Sequence, residues 1–434
     1  MTEVRLMTLD PGHFHAALVQ KEMYPGVARQ AHVYAPLGSD LLAHVQRIAG
    51  FNSRKESPTA WELEIHAGHD ALERLLRERP GNVVVLSGRN REKIDWILAA
   101  VKSGLNVLAD KPWILSPEGL VKLQAALDIA DAQGLIAYDI MTERHEISSI
   151  IQRELVNDVD TFGSIVAGSE QEPGVFMEST HYLIKTVAGA PLRRPAWFFD
   201  IYQQGEGLTD VGTHLVDLVN FILFPEQAIH LEQDIQVLSG KRWPTGLTRD
   251  HFRQVTGEGQ FPEYLAPFVH GDQVDYYCNT LVSYTVRGVH SKLNILWNLE
   301  TPPGGGDTHF ALFQGTRSRV EVRQTREQNF KPEVYLVPNR PGDKKDVLAA
   351  ASKRISTLQV RYPGLAVQEV GNEFWVRIPE LYRTGHEAHF AQVTNQFLHF
   401  LQEPKSLPAW EKPNMLAKYS VTTQGVHLSR QATA

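Results

Sequence analysis

Apolar residues along the first 140 positions fall into two alternating rhythms. Short apolar runs at Val4–Leu9, Ala31–Tyr34, Asn82–Leu86, Asn106–Ala109 and Leu135–Ile140 predict strands. Between them, helical spacing runs over Ala16–Met23, Ile94–Lys102 and from Ser116 to Gln133. Gly104 sits where a helix-ending glycine belongs. Ser116-Pro117-Glu118 offers a cap, a first-turn proline and an early acid. Strands and helices in alternation with short connections imply a doubly wound parallel sheet, with ligands expected at the strands' carboxyl ends. After about residue 150 the rhythm changes. One marked helix, Leu208–Leu223, precedes long strands at Val274–Val286, Ser291–Trp297, His309–Phe313, Arg319–Arg323 and Glu333–Val337. Turns fall at Gly288, Gly304-Gly305-Gly306 and Gly315, which points to a mostly antiparallel sheet. His386–Leu401 reads as a further helix. The chain is therefore expected to hold an α/β domain over 1–145 and an α+β domain over 146–434.

Composition narrows the class. With 434 residues, 42% apolar, 21% charged, 32 glycines and 24 prolines, the chain has ordinary globular composition. A net charge of −7 without a basic run makes nucleic acid and anionic membrane poor partners. A lone cysteine, Cys278, cannot form an internal disulfide, and no Cys/His spacing suits zinc, so no metal is expected. The opening MTEVRLMTLD is strand-like and charged, unlike a secretory signal, and no apolar run reaches the roughly 18 residues of a membrane span. A cytoplasmic protein is the expectation.

Three motifs carry chemistry. In Leu105–Trp113 a buried strand runs into Asp110-Lys111-Pro112, and proline biases Lys111 towards extended backbone. Lys111 either points into the ligand crevice or marks a surface turn. In Gly205–Asp217, helical spacing puts Asp210, His214 and Asp217 on one narrow stripe, away from Leu208, Val211, Leu215, Leu218, Val219 and Ile222. An Asp one turn before a His can orient the ring and raise its basicity, as a general base needs. The same pattern also suits the solvated face of an amphipathic helix. The first turn, Asp10–His15, keeps one glycine, Gly12, of the three in a dinucleotide loop.

Together these segments resemble the glucose–fructose oxidoreductase/inositol dehydrogenase (Gfo/Idh/MocA) family. That family carries Glu-Lys-Pro after its fifth strand and a Gly-Gly-x-Leu-x-Asp-x-Gly-x-His-x-x-Asp helix. Here these stand as Asp110-Lys111-Pro112 and Gly205 through Asp217, with Glu206 replacing the second glycine. The resemblance implies a Rossmann domain followed by a large open sheet that commonly forms an oligomer face, hence a homodimer or homotetramer. It also implies NAD, with NADP left open, and a sugar, glycoside or polyol substrate from which hydride moves to or from a hydroxyl-bearing carbon. By position it assigns Lys111, Asp210 and His214 to catalysis. Asp10, Gly12, His13, Phe14, Ser87, Gly88, Asn90, Asp110, Lys111 and Pro112 fall to the cofactor. Two rivals remain: a redox-neutral, NAD-dependent glycosidase or lyase working through a transient keto-sugar, and a non-catalytic sensor.

The second strand ends Tyr34-Ala35-Pro36, with neither an acid for an adenosine ribose nor an arginine for a 2′-phosphate. Arg193-Arg194 and Lys185 read as a solvated charge cluster that could also meet an acidic substrate. Trp197, Phe198 and Phe199 read as core that could also stack on a sugar. His181 and His309 are not expected to join His214 on a metal.

Overall fold

Six parallel strands organise the beginning of the chain: β1 (Leu6–Leu9), β2 (Gln30–Ala35), β3 (Glu62–Ala67), β4 (Val83–Leu86), β5 (Asn106–Asp110) and β6 (Ala137–Ile140). They pair in the order β3-β2-β1-β4-β5-β6. This is the order of a dinucleotide-binding sheet, whose direction of winding reverses between β1 and β4. Val83-Val84-Val85-Leu86 is buried along its whole length, as a strand flanked by layers on both faces must be. The structure, a computed structural model, describes residues 3–187 and 190–432. It divides into a first unit of Met1–Thr142, Tyr202–Gly205 and Gly385–Lys412, and a second of Glu143–Ile201, Glu206–Thr384 and Pro413–Ala434.

Local chemistry explains where elements depart from the pattern. The helix expected over Ala16–Met23 stops after His15–Leu18. The indole of Trp61 and the guanidinium of Arg54 take the carbonyls of Gln20 and Lys21, which a longer helix would need. β3 does not show in the apolar pattern, because Glu62-Leu63-Glu64-Ile65-His66-Ala67 is an edge strand with mostly solvated side chains. The helix expected from Ser116 begins at Gly119, after two i→i+3 turns at Ser116 and Pro117. The helix His386–Gln402 belongs to the first unit. It inserts Phe390, Val393 and Phe397 into a core shared with Leu6, Val85, Leu108 and Ile140.

In the second unit a ten-stranded sheet is antiparallel except where Val175–Ile184 runs parallel to Val289–Glu300. Val175–Ile184 and the long strand Ile235–Thr248 carry mixed side chains, and neither shows in the apolar pattern. Helix Gly207–Leu223 packs against Gln273–Val286 and Val289–Glu300, setting Leu208, Leu215 and Val219 in one core with Val282, Leu293 and Ile295. Among the described residues no helix is long and apolar enough to cross a membrane.

Candidate functional site

The first unit presents its chemistry at the β1/β4 switch point. Asp10, in the place of the loop's first glycine, holds φ at 43°, a left-handed backbone that asparagine and aspartate tolerate best among side-chain-bearing residues. The loop turns as a glycine loop would. Burial raises the Asp10 carboxyl, and the Arg89 guanidinium 3.3 Å away offsets part of that rise. Arg89 is also held by Asp40 at 2.9 Å. Gly88 shows how tightly β4's exit meets this turn: a Cβ there would lie 2.2 Å from the Asp10 carbonyl and 3.0 Å from the Gly12 nitrogen. The His13 amide donates to the Ser87 carbonyl at 3.1 Å and closes the cradle.

Asp110, at the end of β5, gathers the polar groups around this cradle. His15 Nδ1 donates to its Oδ2 at 2.8 Å, Ser87 Oγ donates to the same oxygen at 3.0 Å, and His13 Nδ1 stands 3.8 Å off. Lys93 Nζ donates to the Asp110 carbonyl at 2.8 Å. Burial would raise the Asp110 carboxyl, but His15, Lys111 and Lys93 hold it well below the ordinary carboxylate range. His15 occupies the place of the third glycine, so a buried imidazole–carboxylate link replaces close packing there. Its Nε2 meets His386 Nε2 at 3.2 Å. Burial and the neighbouring His15 push His386 down to about 3, so its ring is neutral at pH 7. No spacing in the sequence pairs residues 15 and 386, so sequence reasoning misses His386.

The structure therefore brings Asp10, Gly12, His13, Ser87, Gly88 and Asp110 together. Phe14 is half-buried with its ring 4.6 Å from that of His13. Lys111 leaves β5 half-buried, ahead of a cis bond to buried Pro112. Asn90 serves differently. Its backbone and side-chain amides donate to the carbonyls of Gln203 and Gln204 at 2.7 Å each, holding Tyr202–Gly205 in the first unit.

In the second unit Gly207, at a position the motif leaves open, has a steric cause. A Cβ at Gly207 would stand 1.8 Å from the Cys278 carbonyl, so the helix can start there only with glycine. Glu206, the departure from the family pattern, is buried between Arg242 at 2.8 Å and Arg430 at 2.7 Å. Asp210 is buried in the first helical turn and His214 is half-buried one turn on. The solvated-face alternative for this stripe is overturned, because the helix is buried nearly all round. Asp217 parts company with the other two. Arg144 grips both its oxygens, at 2.6 and 2.7 Å, and Lys418 adds a third bond at 3.0 Å.

The second unit holds a further polar group, whose Asp307, like Asp210, acts electrostatically on Arg194. His181 bridges Ser179 Oγ at 2.8 Å and Asp307 Oδ2 at 3.1 Å, and Lys185 Nζ reaches that carboxylate at 2.6 Å. Burial raises the Asp307 carboxyl, but His181 and Lys185 more than reverse this and leave it below its ordinary value. Burial pushes His309 down to about 4, with the neighbouring His181 adding to the shift. Arg193 is exposed, as a solvated cluster requires, but Arg194 turns inward. Its guanidinium lies 4.4 Å from the Phe198 ring and 5.2 Å from the Trp297 ring. Trp197, Phe198 and Phe199 are core.

Residues 151–430 match the family model described as "Putative oxidoreductase C terminal domain". The chain belongs to that oxidoreductase family. Over 99% of its length, and 98% of the other chain, the oxidoreductase is 43% identical to "a putative oxidoreductase" from Parabacteroides merdae, with a TM-score of 0.97. It is 13% identical to KijD10, a 3-ketoreductase from Actinomadura kijaniata solved with NADP, at a TM-score of 0.56 over 98% of this chain and 97% of that one. GenD2 from gentamicin A biosynthesis, solved with NAD, is 16% identical at a TM-score of 0.58 over 100% of this chain and 96% of that one. These last two likenesses concern the fold. No curated protein matches.

Proposed function

We propose that this oxidoreductase belongs to the Gfo/Idh/MocA group and uses NAD or NADP to move hydride to or from a hydroxyl-bearing carbon of a sugar, glycoside or polyol. The observation that carries the reading is the Gly88 cradle: a Cβ there would run into the Asp10 carbonyl, so only glycine lets β4's exit press against the first turn at the switch point where sheets of this order take a dinucleotide's phosphates. KijD10 and GenD2, which share the fold, were solved with NADP and NAD. The residues fit such a group. Gly12 and His13 supply close-approaching backbone, Ser87 and Asp110 line the crevice, and Lys111 is assigned to the nicotinamide end. When bound, the nicotinamide supplies the hydride acceptor or donor.

The chain's own residues supply proton chemistry. His214, neutral, takes the hydroxyl proton during oxidation and returns it during reduction. Asp210, at the positive start of its helix, orients the substrate hydroxyls and, as a carboxylate, favours the proton on His214. The ammonium of Lys111 donates a hydrogen bond to oxygen that gains negative charge. The sheet face bearing half-buried Phe176, Leu296, Phe310 and Leu312 is the proposed contact between copies of the chain.

Gly12→Val tests the reading. A side chain there should abolish binding of NAD and NADP in calorimetry while the circular dichroism stays native. Unchanged affinity for both dinucleotides would remove this loop, and the reading with it.

A further inference from the structure

Arg194 is a charged group whose acceptor is missing. Guanidinium keeps its proton at any physiological pH and carries five N–H donors in a planar fork. Among the described residues Nε has no hydrogen-bond acceptor, and it is sealed from solvent. Two aromatic rings, Phe198 and Trp297, bear on the group, and a ring face attracts a cation without accepting its directed hydrogen bonds. Arg194 as a whole is half-buried, and Nε is its one nitrogen both sealed from solvent and without a partner among the described residues. Leaving a buried charge this poorly answered is destabilising, and proteins tolerate it mainly where a ligand completes the site.

The neighbouring carboxylates do not fill the role. Asp210 and Asp307 both act on Arg194 electrostatically, yet neither bonds to it. Asp307 is already answered by Lys185 and His181. Asp210 lies in the first turn of Gly207–Leu223, where exposed helix amides favour negative charge. The guanidinium thus faces two rings, while the carboxylates of Asp307 and Asp210 act on it without bonding to it.

We propose that the missing acceptor is a carboxylate on the substrate, so that the sugar class served is the anionic one, the hexuronates and their glycosides. This rests on the sugar-oxidoreductase reading above. A carboxylate meets both outer nitrogens of the fork at once, a geometry that a single hydroxyl cannot supply. Phe198 and Trp297 stiffen the fork and keep bulk water from competing.

The test uses the full-length wild-type chain with D-glucuronate and D-galacturonate against D-glucose and D-galactose. Calorimetry gives affinity, and nicotinamide absorbance gives turnover. The uronates should bind about tenfold to a hundredfold more tightly than their neutral parents, the range of a charge-assisted pair. That preference should shrink as salt is raised. Arg194→Gln should raise KM for the uronate to the neutral-sugar level with kcat little changed, as loss of uniform binding requires, and Arg194→Lys should keep part of the preference. Uronates bound no better than neutral sugars, or a preference that survives Arg194→Gln, would overturn the proposal. Should Arg194→Gln fail to fold, the wild-type chain decides alone: a uronate preference indifferent to salt overturns it. Neutral sugars oxidised and uronates refused would overturn this inference and leave the sugar reading standing. Neither pair bound or oxidised would overturn both.

Discussion

Two inward-facing arginines in the second unit show how differently burial can treat one residue type. Arg144 closes a bidentate pair on Asp217, with Lys418 on the same carboxylate, and the cluster is sealed among packed helices. Arg194 has rings on its faces, no acceptor at its Nε, and is half-buried as a residue. Both bear on the helix Gly207–Leu223, the first through Asp217 and the second beside Asp210. One ion cluster is complete and holds the helix in place; the other is incomplete and waits for a ligand. A displaced pKa does not separate the two cases, since Asp217 in the complete cluster and Arg194 in the incomplete one are both displaced downwards. Saturation of donors and acceptors separates them.

The first prediction strikes the incomplete side. His214→Ala should lower turnover by about 10²–10⁴-fold, the usual loss for a positioned acid–base group. Dinucleotide affinity and thermal midpoint should stay near wild type, because His214 is only half-buried. The oxidative rate of the wild-type chain should rise with pH as His214 loses its proton, and that limb should vanish in the variant. Turnover near the wild-type rate with an unchanged pH profile would give the proton transfer to another group.

The second strikes the complete side. Asp217→Asn leaves Arg144 and Lys418 facing each other without the carboxylate between them. Breaking such a buried cluster costs about 3–5 kcal/mol, read as a lower urea midpoint. What folded enzyme remains should turn over substrate almost normally. An Asp217→Asn variant as stable as wild type but inactive would exchange the roles of Asp210 and Asp217 and dissolve the distinction.

How much of this could be read before the structure depends on sequence separation. The parallel sheet, five of its six strands, and the motif stretches at Asp110-Lys111-Pro112 and Gly205–Asp217 show in local pattern, because buried parallel strands are apolar throughout. The helices Ser39–Ser53 and Ala71–Glu78 do not show in it. Gly207's necessity shows only once Cys278 lies beneath it. The strands Glu62–Ala67 and Ile235–Thr248 stay hidden because their side chains are largely solvated or mixed. The polar clusters stay hidden for another reason. His15 meets a residue 371 positions away, Arg144 one 73 away and Lys418 one 201 away, and no periodicity links such partners. Arg194 next to exposed Arg193 looks like surface charge until one side chain is seen to turn inward.

The smallest effect expected is a pH dependence, and it sharpens the same contrast. Burial would raise the Asp217 carboxyl, but Arg144 and Lys418 hold it far below its ordinary value in the folded chain. In the unfolded chain it titrates near the ordinary aspartate value of about 3.9. A depressed folded pKa contributes stability that is fully present above the unfolded value and is lost as pH falls towards the folded one. The unfolding free energy of the wild-type chain should therefore be flat in this contribution above about pH 5 and decline below about pH 4. Asp217→Asn has no proton to take up there, so its own decline should be shallower, and the gap between the two chains should narrow as the medium is acidified. Asp110, also held low, is present in both chains and contributes equally to both curves. Urea titrations at a series of pH values measure the gap directly. A gap that stays constant from neutral pH to about pH 3 would mean that Asp217 acts through packing rather than charge, and the saturated cluster would no longer be the counterpart of Arg194.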